Sequence, residues 1–173
     1  MQQYIAILGF GYQPPKAKLI LAQQAVTLFH TIGWGVAVGN LTGTFAVALE
    51  TAEQLGVHSL AIIDESMSEL DRPDTTKIIK VAADKKHPMI AEQAAGALVI
   101  GGAKGTLKLV DHFMDRKKPV AAIIGAGGVV DEGALPAEVK LLETLAESIT
   151  YLSDRTLDSS LRKKTSSVRT LEV

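Results

Sequence analysis

The chain is predicted to be α/β: a three-layer, Rossmann-like domain with a mostly parallel, doubly wound sheet. Three observations predict this class. Short β-branched and aliphatic runs alternate with longer segments of helical periodicity, the pattern of βα units feeding a parallel sheet. The runs are almost wholly apolar, as strands covered on both faces must be. Glycine-rich turns join strand ends to helix starts, where doubly wound folds bind ligands. At 173 residues, with 47% hydrophobic and 21% charged side chains, the chain fits one soluble domain with a substantial core.

Tyr4 to Gly9 is the first strand, and after the turn-rich FGYQPP a helix carries Leu19, Ala22, Val26 and Phe29 at helical spacing, with Gly33 as its stop. Gly35 to Val38 form the second strand, GNLTG turns, and TFAVALETAEQLG makes a helix closing at Gly56. His58 to Ile63 read as the third strand. The polar DESMSELDRPDTT that follows, with Pro73, is expected to be an exposed loop and the segment that moves most. KIIKVAAD fits a short strand or a helix; the reading favoured here is a strand near Ile78 to Val81 and a helix from Pro88. Ala97 to Ile100 form the next strand, GGAKG the next turn and TLKLVDHFMDRK the next helix. Pro119 to Ile124 are a strand, GAGGVVDEGAL a glycine-rich loop, and Pro136 opens a helix through AEVKLLETLAES. The domain is expected to span residues 1–153, with 154–173 a polar, flexible tail carrying Arg162, Lys163 and Lys164.

Eighteen Lys and Arg against nineteen Asp and Glu leave a formal charge of -1, from which neither nucleic acid nor an anionic membrane is expected as a partner. The absence of cysteine removes disulfides, thiol catalysis and cysteine metal sites. The opening MQQYIAILGFGYQPP has no signal-peptide pattern, so a cytoplasmic location is expected.

Two strand-to-helix junctions share one grammar: VAV-GNLTG-TFAVALE at Val36 to Glu50 and LVI-GGAKG-TLKLVDH at Leu98 to His112. In each, a buried strand meets a glycine turn and then a threonine that opens a helix. The first helical turn has amides without internal partners and the positive end of the dipole, so phosphate fits there. Gly39, Gly43, Gly101, Gly102 and Gly105 would let backbone approach a ligand, Thr44 or Thr106 would add a hydroxyl, and Lys104 a charge. A single such turn is often only a tight corner; two matched turns favour a phosphate site. Neither is a Walker loop or a GxGxxG fingerprint, and GFG at Gly9 to Gly11 lacks the third glycine. NAD is therefore not expected. His30, His58, His87 and His112 lack metal-ligand spacing and read as structural or surface residues; no metal site is expected. Ser66 and Ser68 lack a nucleophile-elbow context. DRKK at Asp115 to Lys118 reads as a helix end, and Gly125 to Gly128 as either a third wall of the cleft or a plain loop.

The first strand ending in Gly9, the GNLTG turn, the pair Lys85 and Lys86, and IGGAKGT at Ile100 to Thr106 together resemble the lysine-decarboxylase-like, LOG-type proteins. They belong to a Rossmann-like superfamily that also includes DNA-processing DprA and a molybdenum cofactor carrier protein. The resemblance spans about residues 4 to 150. It implies nucleotide binding, self-association as a homodimer or homotetramer, and, in the hydrolases of the group, cleavage of the N-glycosidic bond of a nucleoside monophosphate. The helices at 17–32 and 106–116 offer apolar surface for such association. Gly39 and Gly43 match the first family motif with Asn40 in place of its second glycine, and Gly101, Gly102, Gly105 and Thr106 match the second. Where the hydrolases carry a catalytic glutamate, three positions after the threonine, this chain has Leu109, and their arginine–lysine pair reads Lys85 and Lys86. An alkyl chain neither stabilises a developing ribosyl cation nor activates water.

The expected site therefore binds and does not cut. Gly9, Gly11, Gly39, Asn40, Thr42, Gly43, Thr44, Lys85, Lys86, Gly101, Gly102, Ala103, Lys104, Gly105 and Thr106 are its candidate residues, with no catalytic residue among them. The expected ligand is a nucleotide or a phosphate-bearing cofactor derived from one, the molybdopterin-type cofactor being one candidate, held by a carrier or sensor. The alternative is a phosphoribohydrolase whose acid has moved, to Asp111, Glu50 or Asp64.

Overall fold

The computed structural model describes residues 2–12, 14–68 and 71–169, with the side chains of 158–169 excepted. Seven strands form one sheet in the order β4-β3-β2-β1-β5-β6-β7, and every pairing is parallel. The strands are β1 (Tyr4–Gly9), β2 (Gly35–Val38), β3 (Ser59–Asp64), β4 (Thr76–Val81), β5 (Gly96–Ile100), β6 (Val120–Ile123) and β7 (Lys140–Leu142). The helices are α1 (Lys16–Thr31), α2 (Gly43–Leu55), α3 (Lys86–Gln93), α4 (Lys104–Asp115) and α5 (Leu145–Arg169). This is the three-layer, doubly wound arrangement that the sequence predicts. From β1 the chain works outward to β4, then crosses back to β5 on the other side of β1. Right-handed crossovers therefore place α1 and α2 on one face of the sheet and α3 and α4 on the other, and each pair packs together.

The core lies along the inner strands. Ile5, Ala6, Ile7, Val36, Ala37, Val38, Leu98, Val99 and Ile100 are fully buried, because both sheet faces are covered. Helix α2 stops where Gly56 takes a left-handed conformation, φ 68°. The loop after β3 is pinned at its far end by Arg72, whose guanidinium pairs with Glu53 at 3.0 Å; part of it, residues 69–70, lies outside the described residues. Among the described residues no helix is long and apolar enough to cross a membrane.

Two expectations are corrected. Helix α3 begins at Lys86, before Pro88, because proline is tolerated in a first turn whose amides need no internal partner. No helix starts at Pro136: Lys140–Leu142 pair with β6 as the edge strand β7, and α5 begins only at Leu145. A capping box sets that start, since the Thr144 hydroxyl accepts from the Glu147 amide at 3.2 Å while the Glu147 carboxylate accepts from the Thr144 amide at 3.1 Å. Helix α5 runs through residue 153, where the domain is expected to end, and Thr156 beyond it is buried. The basic cluster at 162–164 has no described side chains, and residues 170–173 lie outside the described residues.

The far end of α3 is closed by Lys118, whose ammonium donates to the carbonyls of Ala91, Glu92 and Ala94 at 2.7, 2.7 and 2.6 Å. A cation there answers both the orphan carbonyls and the negative end of the helix dipole. Lys118→Met is expected to lower unfolding stability by about 1–2 kcal/mol, seen as a reduced urea midpoint with an unchanged slope.

Candidate functional site

Doubly wound sheets bind ligands outside the carboxyl ends of the strands where the winding reverses, here between β1 and β5. A cavity of about 290 Å³ opens there. Its floor is Leu8, Gly9 and the start of the β1–α1 loop at Phe10, Gly11 and Tyr12. Gly39, Asn40 and Phe45 close one side, Lys86, His87 and Ile90 of α3 another, and Ala103, Gly105, Thr106 and Leu109 the α4 side.

The two glycine corners share a sequence pattern and differ in use. At the first, Thr44 is fully buried; its amide donates to the Phe10 carbonyl at 3.0 Å and its hydroxyl accepts from the Phe10 amide at 3.2 Å. The Thr42 hydroxyl donates to the Gly11 carbonyl, and the Asn40 side-chain oxygen accepts from the Leu41 amide at 2.7 Å. The start of α2 is thus tied to its own β1–α1 loop. Gly43 permits this close approach, since a Cβ there would sit 2.4 Å from the Phe10 carbonyl oxygen.

The second corner stays open. Thr106 is nearly buried and donates its hydroxyl to the Gly9 carbonyl at 3.3 Å, while its amide bonds Ala103 at 2.9 Å. The amides of Lys104 and Gly105 have no acceptor among the described residues, and Ala103, Lys104 and Gly105 are exposed. This helix start has the free donors and dipole end that hold an anion. Gly102 serves the turn: its φ is 103°, and a Cβ would fall 2.1 Å from the Thr106 hydroxyl. Gly105 faces open space, with nothing within 4 Å of where its Cβ would be.

Of the expected residues, Gly9, Gly11, Gly39, Asn40, Lys86, Ala103, Gly105 and Thr106 line the cavity. Thr42, Gly43, Thr44, Gly101 and Gly102 are not in its wall. The first three tie α2 to the β1–α1 loop, and Gly101 and Gly102 form the turn beneath Phe10 and Thr106. Lys104 is exposed outside the wall. Lys85 lies in a separate 3-10 turn, Ala83–Lys85, with its ammonium 3.8 Å from the Asp84 carboxylate, so the lysine pair splits and only Lys86 faces the cavity. Gly125 to Gly128 also stay out of the lining. The Gly125 and Gly127 amides both donate to the Asp131 carboxylate at 2.9 Å, filling that nest from within the chain. The loop instead supports the second corner, where the Val129 amide donates to the Gly102 carbonyl at 3.1 Å.

Several lining residues are not among the sequence candidates. Phe10, Tyr12 and Phe45 bring three rings together in a chain with only four Phe, three Tyr and one Trp. Their signal is the interleaving of aromatics with glycines in GFGY and just after GNLTGT. Tyr12 is 85% exposed at the mouth. His87 directly follows the lysine pair. Burial, then the nearby Lys86, His112 and Lys108, hold its imidazole below its ordinary range. Leu109 stands in the wall at 5% exposure, and no lining residue is a carboxylate. Asp111 and Glu50 are exposed on their helices, and Asp64, its pKa lowered by hydrogen bonds from Ser66, accepts the Ser66 amide at 2.8 Å. No cluster of three or more metal-ligating side chains is found among the described residues.

No family model matches the chain, and no curated protein matches it. Solved structures do. The structure of TM1055 matches with a TM-score of 0.75 at 16% identity, over 88% of this chain and 99% of that one. The molybdenum cofactor binding protein of the phototrophic bacterium Rippkaea orientalis gives 0.75 at 17%, over 89% and 97%. The molybdenum cofactor carrier protein of Chlamydomonas reinhardtii gives 0.71 at 18%, over 90% and 98%. DNA processing protein A of Helicobacter pylori, whose structure describes a single-stranded DNA binding mode, gives 0.67 at 10%, over 88% and 81%. The resemblance read from the glycine motifs thus holds at the level of the fold. The last match overturns the exclusion of nucleic acid as a partner. Net charge sums the whole surface, whereas strand binding depends on where cations gather, so a balance near zero excludes nothing.

Two glycine substitutions separate turn geometry from ligand approach. Gly102→Ala should cost about 1–3 kcal/mol from its backbone conformation alone, read as a lower melting temperature. Gly105→Ala should fold normally, and its effect should fall on anion binding at the α4 start, read by titration with a nucleoside monophosphate.

Proposed function

We propose that the chain is a binding protein, a carrier or sensor, for a phosphate-bearing nucleotide or nucleotide-derived cofactor, which it holds without hydrolysing it. One observation carries this reading: the switch-point cavity joins an anion-holding end to a ring-holding end and has no carboxylate in its wall. The anion end is the open start of α4 together with Lys86 and Thr106; the ring end is Phe10, Tyr12, Phe45, Ile90 and Leu109. Its size is close to the lower limit of ligand cavities, about 300 Å³, so it suits one planar ring system and a phosphoryl group with the remainder toward solvent. Cleaving an N-glycosidic bond requires a carboxylate beside the ribose, and the nearest position in the family pattern is the alkyl wall of Leu109.

The molybdenum cofactor, a pterin bearing a phosphate, is the specific ligand we favour. Two of the structures that share this fold belong to proteins described as binding or carrying it. A cytoplasmic setting suits the cysteine-free composition.

Incubation with purine nucleoside 5'-monophosphates and with pterin phosphates should give saturable binding by calorimetry and no free base by chromatography. Release of base would overturn the reading. Lys86→Met should weaken binding by about tenfold, the loss of one charge-assisted contact, while Lys85→Met should leave it unchanged.

A further inference from the structure

Beside Lys86, the α3 wall of the cavity carries an imidazole that the anion end just described does not use. His87 stands in the first turn of α3 beside Lys86 and lines the cavity. Across the seam between α3 and α4 lie Lys108 and His112; the two imidazole rings meet edge to face, with centroids 6.3 Å apart and planes at 63°. The charged and titratable groups facing His87 are therefore Lys86 from its own helix and Lys108 and His112 from α4. Asp64, at the end of β3, is influenced by Lys86, but its carboxylate accepts the Ser66 amide and stays out of the cavity wall. A half-buried imidazole beside Lys86 and Lys108, at a helix start, has no carboxylate partner in the cavity wall. The open cavity is the side from which that charge can arrive.

We propose that His87, backed by His112 and Lys108, is a second anion contact of the cavity, and that a phosphoryl group captured there draws a proton from solvent onto the imidazole. The inference deepens the binding-protein reading and rests on it for the ligand's class. In the ligand-free protein burial first, and then the neighbouring Lys86, His112 and Lys108, hold the pKa of the ring below its ordinary range. An arriving phosphoryl oxygen reverses the local field, and the ring takes up a proton and donates an N–H to that oxygen. Binding is then strongest below the pKa of the free imidazole and weakens as pH rises through the raised pKa of the complex.

The test is isothermal titration of the full chain with AMP and with inorganic pyrophosphate at about pH 6 and about pH 8, in buffers of different ionisation heat. Wild type, His87→Gln and His112→Gln are compared, and the His87 ring resonance is followed by NMR in wild type, which needs no variant to fold. Wild type should lose about tenfold more affinity across this range than His87→Gln, the change that a one-unit rise in imidazole pKa produces. Its proton uptake should vanish in His87→Gln and shrink in His112→Gln. The phosphate's own titration is common to all three proteins and cancels in the comparison. AMP binding with no proton uptake, or with the same profile in His87→Gln, overturns the histidine contact and leaves the nucleotide reading standing. Pyrophosphate binding with proton uptake, and no AMP binding, overturns the nucleotide reading and supports the contact. A His87 resonance unmoved by either anion overturns the contact.

Discussion

A hydroxyl taken out of water has to find a partner, and two buried threonines find theirs on the last residue of one strand and the first residue beyond it. Thr44, at the start of α2, bonds Phe10 through both its amide and its hydroxyl; Thr106, at the start of α4, bonds the Gly9 carbonyl. Since β1 lies between β2 and β5, two helices arriving from opposite directions are fastened to the same point. Gly9 has no room for a side chain there, as a Cβ would meet Thr44 at 2.8 Å and the Ile100 carbonyl at 3.0 Å. The cavity is the space left above this knot, and its walls inherit their positions from it.

The knot also explains why two corners with one sequence grammar have different chemistry. At the first, the Thr44 amide and the Thr42 and Thr44 hydroxyls are engaged by the β1–α1 loop, and that loop in turn presents Phe10 and Tyr12 to the cavity. The second is bonded only from behind, through Thr106 and Gly102, so its leading amides face outward. The third glycine cluster, at 125–128, receives the Asp131 carboxylate and props the second corner instead of joining the wall. One corner is tied through its threonines to loop backbone, one nest is filled by the chain's own carboxylate, and one corner is bonded only from behind.

The charge around the open nest follows from which helices meet there. Starting α3 at Lys86 sets Lys86 and His87 at the cavity and leaves Lys85 outside. Packing α3 on α4 then brings His112 and Lys108 up to His87. The site is cationic and lacks lining carboxylates although the chain as a whole has a formal charge of -1. The balance of a composition and the field inside one cleft are separate quantities.

The strands were readable in advance because an inner parallel strand is apolar at every position, as Ile5 to Leu8 and Ala97 to Ile100 are. The glycine-to-helix junctions were readable because a tight turn before a helix restricts residue type. Residues 136–147 run against the helical period, since three residues of edge strand leave no period to detect and the Thr144–Glu147 capping box that starts α5 is a local signal outside the apolar pattern. Residue identities alone determined the fold class, the placing of glycine corners at the strand ends and the alkyl side chain at Leu109. Tertiary structure alone decided which corner stays open, which lysine of the pair faces the cavity and that His87 and the three aromatic rings share one wall. Those outcomes depend on hydrogen bonds and packing between segments as far apart as Gly9 and Thr106, and spacing along the chain carries no record of them.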